Sequence, residues 1–276
     1  MPHASSEQTS LFDEPRPFLK WVGGKRQLLP ALLPHVPRSF GTYHEPFVGG
    51  GALFFAVRPA RAVLSDNNAR LVRTWRGVRD RVEDLIRLLK TYPHDKQFFL
   101  EMRERDIDAA SDVEVAAWFI YLNRTAFNGL YRVNSKNKYN VPFGRYVNPT
   151  ICDEPTLRAC SRALRGASIE HEDFEAVLAR AKAGDFVYFD PPYVPLSATS
   201  DFTSYTAEGF SAEDQKRLRD VARTLKERGV HVLLSNSSAE FVRELYEGFH
   251  VEEVAATRYV NCQADGRGPV VELVIR

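Results

Sequence analysis

The sequence predicts an α/β fold: a mainly parallel sheet with helices on both faces. Three observations carry that expectation. Apolar runs of strand length alternate with segments of helical period, as crossover connections between parallel strands require. Glycines and acids stand where those strands end. At 276 residues and 44% hydrophobic composition, the chain has enough apolar surface for one large domain or a domain carrying an insertion.

The elements follow in order. The polar start "MPHASSEQTSLFDEPR" lacks the apolar core of a signal peptide, and residues 1–16 read as a disordered tail. "FLKWVGGKRQLL" sets Lys20, Trp21, a glycine pair ending at Gly24 and Lys25 before a helix. It resembles part of a phosphate loop, but Arg26 stands where a magnesium-binding hydroxyl is needed, which excludes ATP hydrolysis of that type. "TYHEPFVGGGALFFAV" gives a strand, three glycines from Gly49 to Gly51 and an apolar helix. Phe54 occupies the place of the third glycine of a dinucleotide fingerprint, so a nicotinamide-dependent dehydrogenase is excluded; the glycines either admit a ligand to the backbone or only make a tight turn. "RAVLSDNN" is a second strand ending on Asp66, at the distance where an acid accepts hydrogen bonds from ribose hydroxyls.

"ASIEHEDFEAVLARAKAGDFVYFDPPY" supplies a strand, a helix closed by Gly184 and a strand ending on Asp190. Within it, Asp173 and Phe174 either hold an adenine or form a helix N-cap with a core phenylalanine. In "SAEDQKRLRDVARTLKERGVHVLLSNSS", Ser211 and Asp214 make a capping box and Leu218, Val221, Ala222 and Leu225 share a helical face. Gly229 then precedes a buried strand, Val230 to Leu234. "PVVELVIR" reads as a last strand.

From about residue 68 to residue 153 the alternation stops. Helix-like "DRVEDLIRLLK" and "VEVAAWFIYLN" precede a basic, aromatic stretch. Val115 to Cys152 contains no Asp or Glu, but holds Arg124, Arg132, Lys136, Lys138 and Arg145 among Phe127, Tyr131, Tyr139, Phe143 and Tyr146. Against a net charge of only +1, this is either a solvated loop with core aromatics or a surface that tracks phosphates. The expected organisation is a tail over 1–16, a catalytic domain over 17–67 and 154–276, and an inserted recognition domain over 68–153. The three cysteines, Cys152, Cys160 and Cys262, lack CxxC spacing, which argues against a disulfide framework or zinc site and fits a reducing, cytoplasmic location. No metal is indicated. The apolar stretch Val115 to Leu122 is far too short to span a bilayer.

The most informative segment is Asp190, Pro191, Pro192 and Tyr193, a tetrapeptide expected by chance on the order of once in several hundred chains of this length. Prolines end the strand and make a stiff lip at its carboxyl end, where open α/β sheets bind ligands. An exocyclic nucleobase amine is a poor nucleophile because its lone pair is delocalised into the ring. The Asp190 carboxylate and the Pro191 carbonyl can accept its two hydrogens and stabilise the charge that develops on attack, and Tyr193 offers a stacking face.

Taken in order, "FLKWVGGK", "EPFVGGGALFF", "LSDNN", "NRTAFNGLYRVN", "NVPFGRY", "DPPYVPLSATSDFTSYTAEGF" and "LSNSS" resemble the Dam-type adenine-specific DNA methyltransferases, especially those that accompany restriction endonucleases cutting GATC. The resemblance runs from about Phe18 to the end. It implies a Rossmann-like, mainly parallel methyltransferase sheet with an inserted, mostly helical target-recognition domain bearing a β-hairpin. It further implies methyl transfer from S-adenosyl-L-methionine to the exocyclic amine of a flipped adenine in double-stranded GATC DNA, with a cognate restriction endonuclease as a possible partner in the same system. By motif matching, Trp21, Gly24, Lys25, Phe47, Gly49, Gly51, Asp66, Asp173, Phe174 and Asp190 contact the cofactor, and Asp190 to Tyr193 hold the adenine. Lys20, Arg124, Asn128, Leu130, Arg132, Lys136, Lys138, Pro142 and Arg145 face DNA. Arg132 also fits the commonest specific major-groove contact, arginine on guanine. Phe127 stands where some members carry tyrosine, and "LSNSS" lacks a histidine seen in some members, so Asn236 is given no catalytic role. The competing reading is a non-catalytic DNA-binding regulator of the same fold, against which the intact Asp190–Tyr193 set speaks.

Overall fold

The computed structural model describes residues 14–194, 210–257 and 269–276. Residues 1–13 of the expected tail, residues 195–209 of the proline-tyrosine motif's continuation and Cys262 lie outside the described residues. The described residues fall into two compact units, one from Met1–Trp21 and Arg73–Arg165, the other from Val22–Val72 and Gly166–Arg276.

The second unit holds the sheet. Its strands are β1 (Tyr43–Glu45), β2 (Ala62–Asp66), β3 (Ala167–His171), β4 (Phe186–Phe189), β5 (His231–Ser237), β6 (Val251–Thr257) and β7 (Pro269–Ile275). Their spatial order is β3-β2-β1-β4-β5-β7-β6. The first five run parallel, and β7 enters antiparallel to both β5 and β6. The chain winds outward from β1 through β2 to β3, then returns to β4 beside β1 and winds the other way. The crevice at the carboxyl ends of β1 and β4 is therefore the switch point where open sheets bind ligands.

Strand alternation assigns the two faces. Val187 and Phe189 of β4, Val232 and Leu234 of β5, and Leu273 and Ile275 of β7 pack with helices of one layer. The helices of this unit are α1 (Leu29–Leu32), α2 (Ala52–Val57), α8 (Val177–Arg180), α9 (Ala212–Glu227) and α10 (Glu240–Leu245). Leu218, Val221, Ala222 and Leu225 of α9 are the buried stripe expected from their spacing. The Ser211–Asp214 capping box is formed. On the opposite face, Phe186 meets Tyr43 at 5.6 Å, and Tyr43 meets Phe54 of α2 at 6.2 Å.

The first unit is helical: α4 (Val82–Lys90), α5 (Lys96–Glu104), α6 (Asp112–Thr125) and α7 (Glu154–Ala163), with α3 (Ala69–Asp80) carrying the chain into it. Val115 to Leu122 of α6 are all buried, so the apolar run is the unit's central helix rather than one face of a surface helix. Its start is fixed by a Ser111–Glu114 capping box, and Trp118 Nε1 donates to the Met102 carbonyl at 2.7 Å. Gly77 of α3 approaches α6 so closely that a Cβ there would lie 2.7 Å from the Asp112 carbonyl oxygen and 2.8 Å from the Ala116 Cβ. After α6 the chain makes a hairpin-like excursion, with isolated bridges Ala126↔Phe143 and Val133↔Tyr139 and a turn over Asn134–Asn137. Among the described residues no helix is long and apolar enough to cross a membrane.

Candidate functional site

At the switch point Asp190 follows β4, and the prolines stop the ladder as their missing N–H groups demand. Lys25, buried at 6% exposure, places Nζ 2.9 Å from Asp190 Oδ1, 2.6 Å from the Gly23 carbonyl oxygen and 4.4 Å from the centroid of Tyr193. Asp190 Oδ1 also accepts from Ser235 Oγ at 2.9 Å, and Ser235 Oγ lies 3.0 Å from the Tyr188 hydroxyl. Tyr193 donates to Glu272 Oε2 of β7 at 2.8 Å. Burial pushes the Asp190 carboxyl pKa up, while the Lys25 ammonium draws it back down. Lys25, remote in sequence from Asp190 and Tyr193, thus meets both in one place.

Two more acids end neighbouring strands. Glu45, which closes β1, is 2% exposed and accepts from the Tyr43 hydroxyl at 2.7 Å; burial lifts its pKa to about 8, and the charge of Asp190 adds to the rise. Asp66, which closes β2, accepts the Gly49 N–H at 3.1 Å and the Asn68 N–H at 3.0 Å; burial raises it to about 6 against those bonds. The glycine segment is a tight turn: Gly49 and Gly51 have φ of +44° and +64°, and Gly51 N–H bonds the Val48 carbonyl at 2.6 Å. The carboxyl ends of β1, β2 and β4 thus carry Glu45, Asp66 and Asp190, three acids whose burial disfavours the charged form.

Gly24 leads directly into the short turn that carries Lys25. Phe47 stacks on Phe174 at 5.4 Å and 24°. Asp173 and Phe174 form a capped turn with a core phenylalanine. Asp173 caps the turn by accepting from Glu175 N–H at 2.9 Å, Phe174 is 4% exposed, and the Arg217 guanidinium pairs with Asp173 and lies 5.0 Å from the Phe174 centroid.

In the helical unit, Trp21 stacks on Phe119 and Tyr131 at 6.3 and 6.4 Å. Lys20 is exposed, with Nζ 4.1 Å over the Tyr146 ring. Its backbone is fixed by Asn123, which accepts from Lys20 N–H at 2.8 Å and donates to the Lys20 and Gly129 carbonyls at 2.8 and 2.7 Å. Asn128, Arg132, Lys136, Lys138, Pro142 and Arg145 are exposed and Leu130 is half-buried. Asn128 has a φ of +53°, left-handed backbone that asparagine tolerates. The Arg132 guanidinium is steadied by Nε donating to Asn140 Oδ1 at 2.7 Å.

Arg124 differs. Its Nη2 donates to the Phe18 carbonyl at 2.7 Å and burial lowers its pKa, so the charge expected on the outer surface anchors the unit's own backbone. Of the aromatics in the acid-free stretch, Phe127 alone is exposed; Tyr131 stacks on Phe119 at 4.6 Å, Tyr139 meets Trp118 at 5.8 Å and Phe143 meets Phe99 at 5.1 Å. A cluster of bulky rings beside a fully buried helix packs on it. Sequence reasoning also missed Glu45, Asn123, Ser235, Gln215 and Glu272. Asn123 had a signal, a polar residue directly after an eight-residue apolar run, because a buried amide there must be bonded. Among the described residues no group of three or more His, Cys, Asp or Glu side chains can hold a metal ion.

A sequence model described as D12 class N6 adenine-specific DNA methyltransferase matches residues 21–260. A type II methyltransferase, M1.LlaDCHI, of Lactococcus lactis subsp. cremoris is 48% identical, the match covering 94% of each chain. A second type II methyltransferase, M.MjaIII, of Methanocaldococcus jannaschii is 40% identical over 95% of this chain and 99% of its own. The DNA adenine methylase of Escherichia coli K12 is 34% identical over 94% of each.

Proposed function

This chain belongs to the D12 class N6 adenine-specific DNA methyltransferases, and from that premise we propose that it methylates the exocyclic amine of the adenine in GATC, extruded from the duplex, with S-adenosylmethionine as donor. The observation that carries the reading is the contact of the Lys25 ammonium with Asp190 and Tyr193. A corner that holds a nitrogen donor against a carboxylate and under an aromatic face offers what an adenine amine requires. Asp190 and the Pro191 carbonyl accept its hydrogens, favour the pyramidal nitrogen and stabilise the positive charge that grows there; Tyr193 stacks on the purine.

The donor set fits the proposed cofactor. Asp66 and Asp190 give the crevice carboxylate oxygens that suit a sulfonium and an ammonium. In this reading Asp66, beside the glycine turn, accepts from ribose hydroxyls and Lys25 meets a carboxylate. When bound, S-adenosylmethionine supplies an electrophilic methyl group, so the chain's own task is alignment and charge stabilisation, with no general base required before attack. In the helical unit, Lys20, Asn128, Leu130, Arg132 and Pro142 read the bases, and Lys136, Lys138 and Arg145 meet phosphates. Incubation with labelled S-adenosylmethionine and duplexes containing GATC or single-base variants tests the reading: label confined to GATC, with cleavage by nucleases that need methylated GATC, supports it, and label on every duplex alike refutes the specificity.

A further inference from the structure

Gln215 of α9 and Asn236 of β5 are polar side chains with 1% and 0% exposure. Gln215 Nε2 donates to the Pro192 carbonyl at 3.0 Å, its Oε1 accepts from Asn236 Nδ2 at 3.0 Å, and Asn236 Oδ1 accepts the Ser237 N–H at 2.8 Å. The relay thus runs from the backbone of β5 to the backbone of the proline corner. Ser235, also 0% exposed, precedes Asn236 and so points to the other face of the strand, where its hydroxyl donates to Asp190 Oδ1. One dipeptide step of β5 therefore holds the corner from both faces of the sheet.

The corner needs such support. Neither proline has an N–H to enter the ladder. The Pro192 ring fixes φ, so holding the Pro192 carbonyl constrains the peptide that carries the Pro191 carbonyl on one side and leads into Tyr193 on the other. We propose that Gln215 and Asn236, with Ser235 opposite, are positioning residues that set the relative placement of the Asp190 carboxylate, the Pro191 carbonyl and the Tyr193 ring for the adenine amine. The proposal rests on the assignment of Asp190–Tyr193 as the amine-binding element.

The experiment compares full-length Gln215→Leu and Gln215→Leu/Asn236→Leu with the wild type, and uses Asp190→Ala to test the underlying assignment. The double variant removes both amides of the relay, so that no side-chain amide is left buried without its partner. Single-turnover methylation of a GATC duplex with saturating S-adenosylmethionine is measured beside equilibrium binding of duplex and donor and the thermal midpoint. Expected is a fall in the single-turnover rate of roughly 100-fold from misplacement of the acceptors, with both affinities and the double variant's midpoint near wild type. A folded variant that transfers within about twofold of wild type overturns the brace, and so does a parallel fall of rate, affinities and midpoint, which marks general loosening. Turnover by Asp190→Ala would instead remove the assignment beneath the proposal, a failure distinct from that of the brace alone.

Discussion

Lys25 and Asp190 form an ion pair of 2.9 Å between side chains 7% and 20% exposed. The carboxylate proposed to accept an adenine amine is therefore met by an ammonium, and under that proposal Lys25 shares or yields the oxygen when the base arrives. Its charge is the largest influence drawing the Asp190 pKa down against burial. Lys25→Met is expected to move the acid limb of the single-turnover pH profile upward, since a carboxylate that loses a neighbouring cation binds its proton more tightly. A limb unchanged at saturating donor would show that Lys25 does not govern Asp190 ionisation.

Asp190→Ala is expected to abolish methyl transfer while duplex affinity stays within a few fold, because phosphate contacts supply most of the binding. Gel-shift titration beside a single-turnover assay checks both halves; residual transfer near the wild-type rate would contradict the role of the carboxylate.

Arg132→Ala is expected to relax discrimination at one base of the site, at about 1–3 kcal/mol. The structure adds a companion. Asn140 holds the guanidinium through Arg132 Nε, so Asn140→Ala should weaken the same discrimination by less. Competition with the full set of single-base variants reads both, and unchanged preference in Arg132→Ala would remove the assignment.

Glu45 is expected to make stability pH-dependent. Its folded pKa of about 8 lies above the ordinary 4.5, so between those values the folded state binds more protons than the unfolded one. Stability from this group is present below about pH 4.5 and is lost as pH rises through about 8. Glu45→Gln should leave the thermal midpoint of the free protein unchanged near the acid end and raise it near the alkaline end. Parallel curves for the two proteins would show that Glu45 is not the titrating group.

Gly77→Ala should destabilise the helical unit by roughly 1–3 kcal/mol, because the added Cβ meets the Asp112 carbonyl and the Ala116 Cβ. Thermal unfolding of the full chain measures it; a midpoint at or above wild type would mean that α3 and α6 can part without loss.

What the sequence made legible was local or periodic. Strand ends were marked by Asp66 and Asp190, the α9 stripe by its spacing, and its start by Ser211 and Asp214, because each rests on residues within a turn or two of one another. The Lys25–Asp190 pair, the Tyr193–Glu272 bond and the Gln215–Asn236 relay were not legible, since each joins side chains brought together only by the strand order. Arg124 misled for a related reason. An acid-free, basic stretch reads as surface, yet a helix buried along most of its length leaves an arginine head few directions, and here it finds the Phe18 carbonyl.

Trp21 and Phe18 stand upstream of Val22, yet their rings complete the core around Phe119, Tyr131 and Trp75. The helical unit is consequently not a fragment that a single cut and paste can move. Grafting residues 73–165 alone onto a related catalytic scaffold would expose the aromatic pocket that the leading segment fills, whereas a chimera exchanging both stretches together keeps its lining intact.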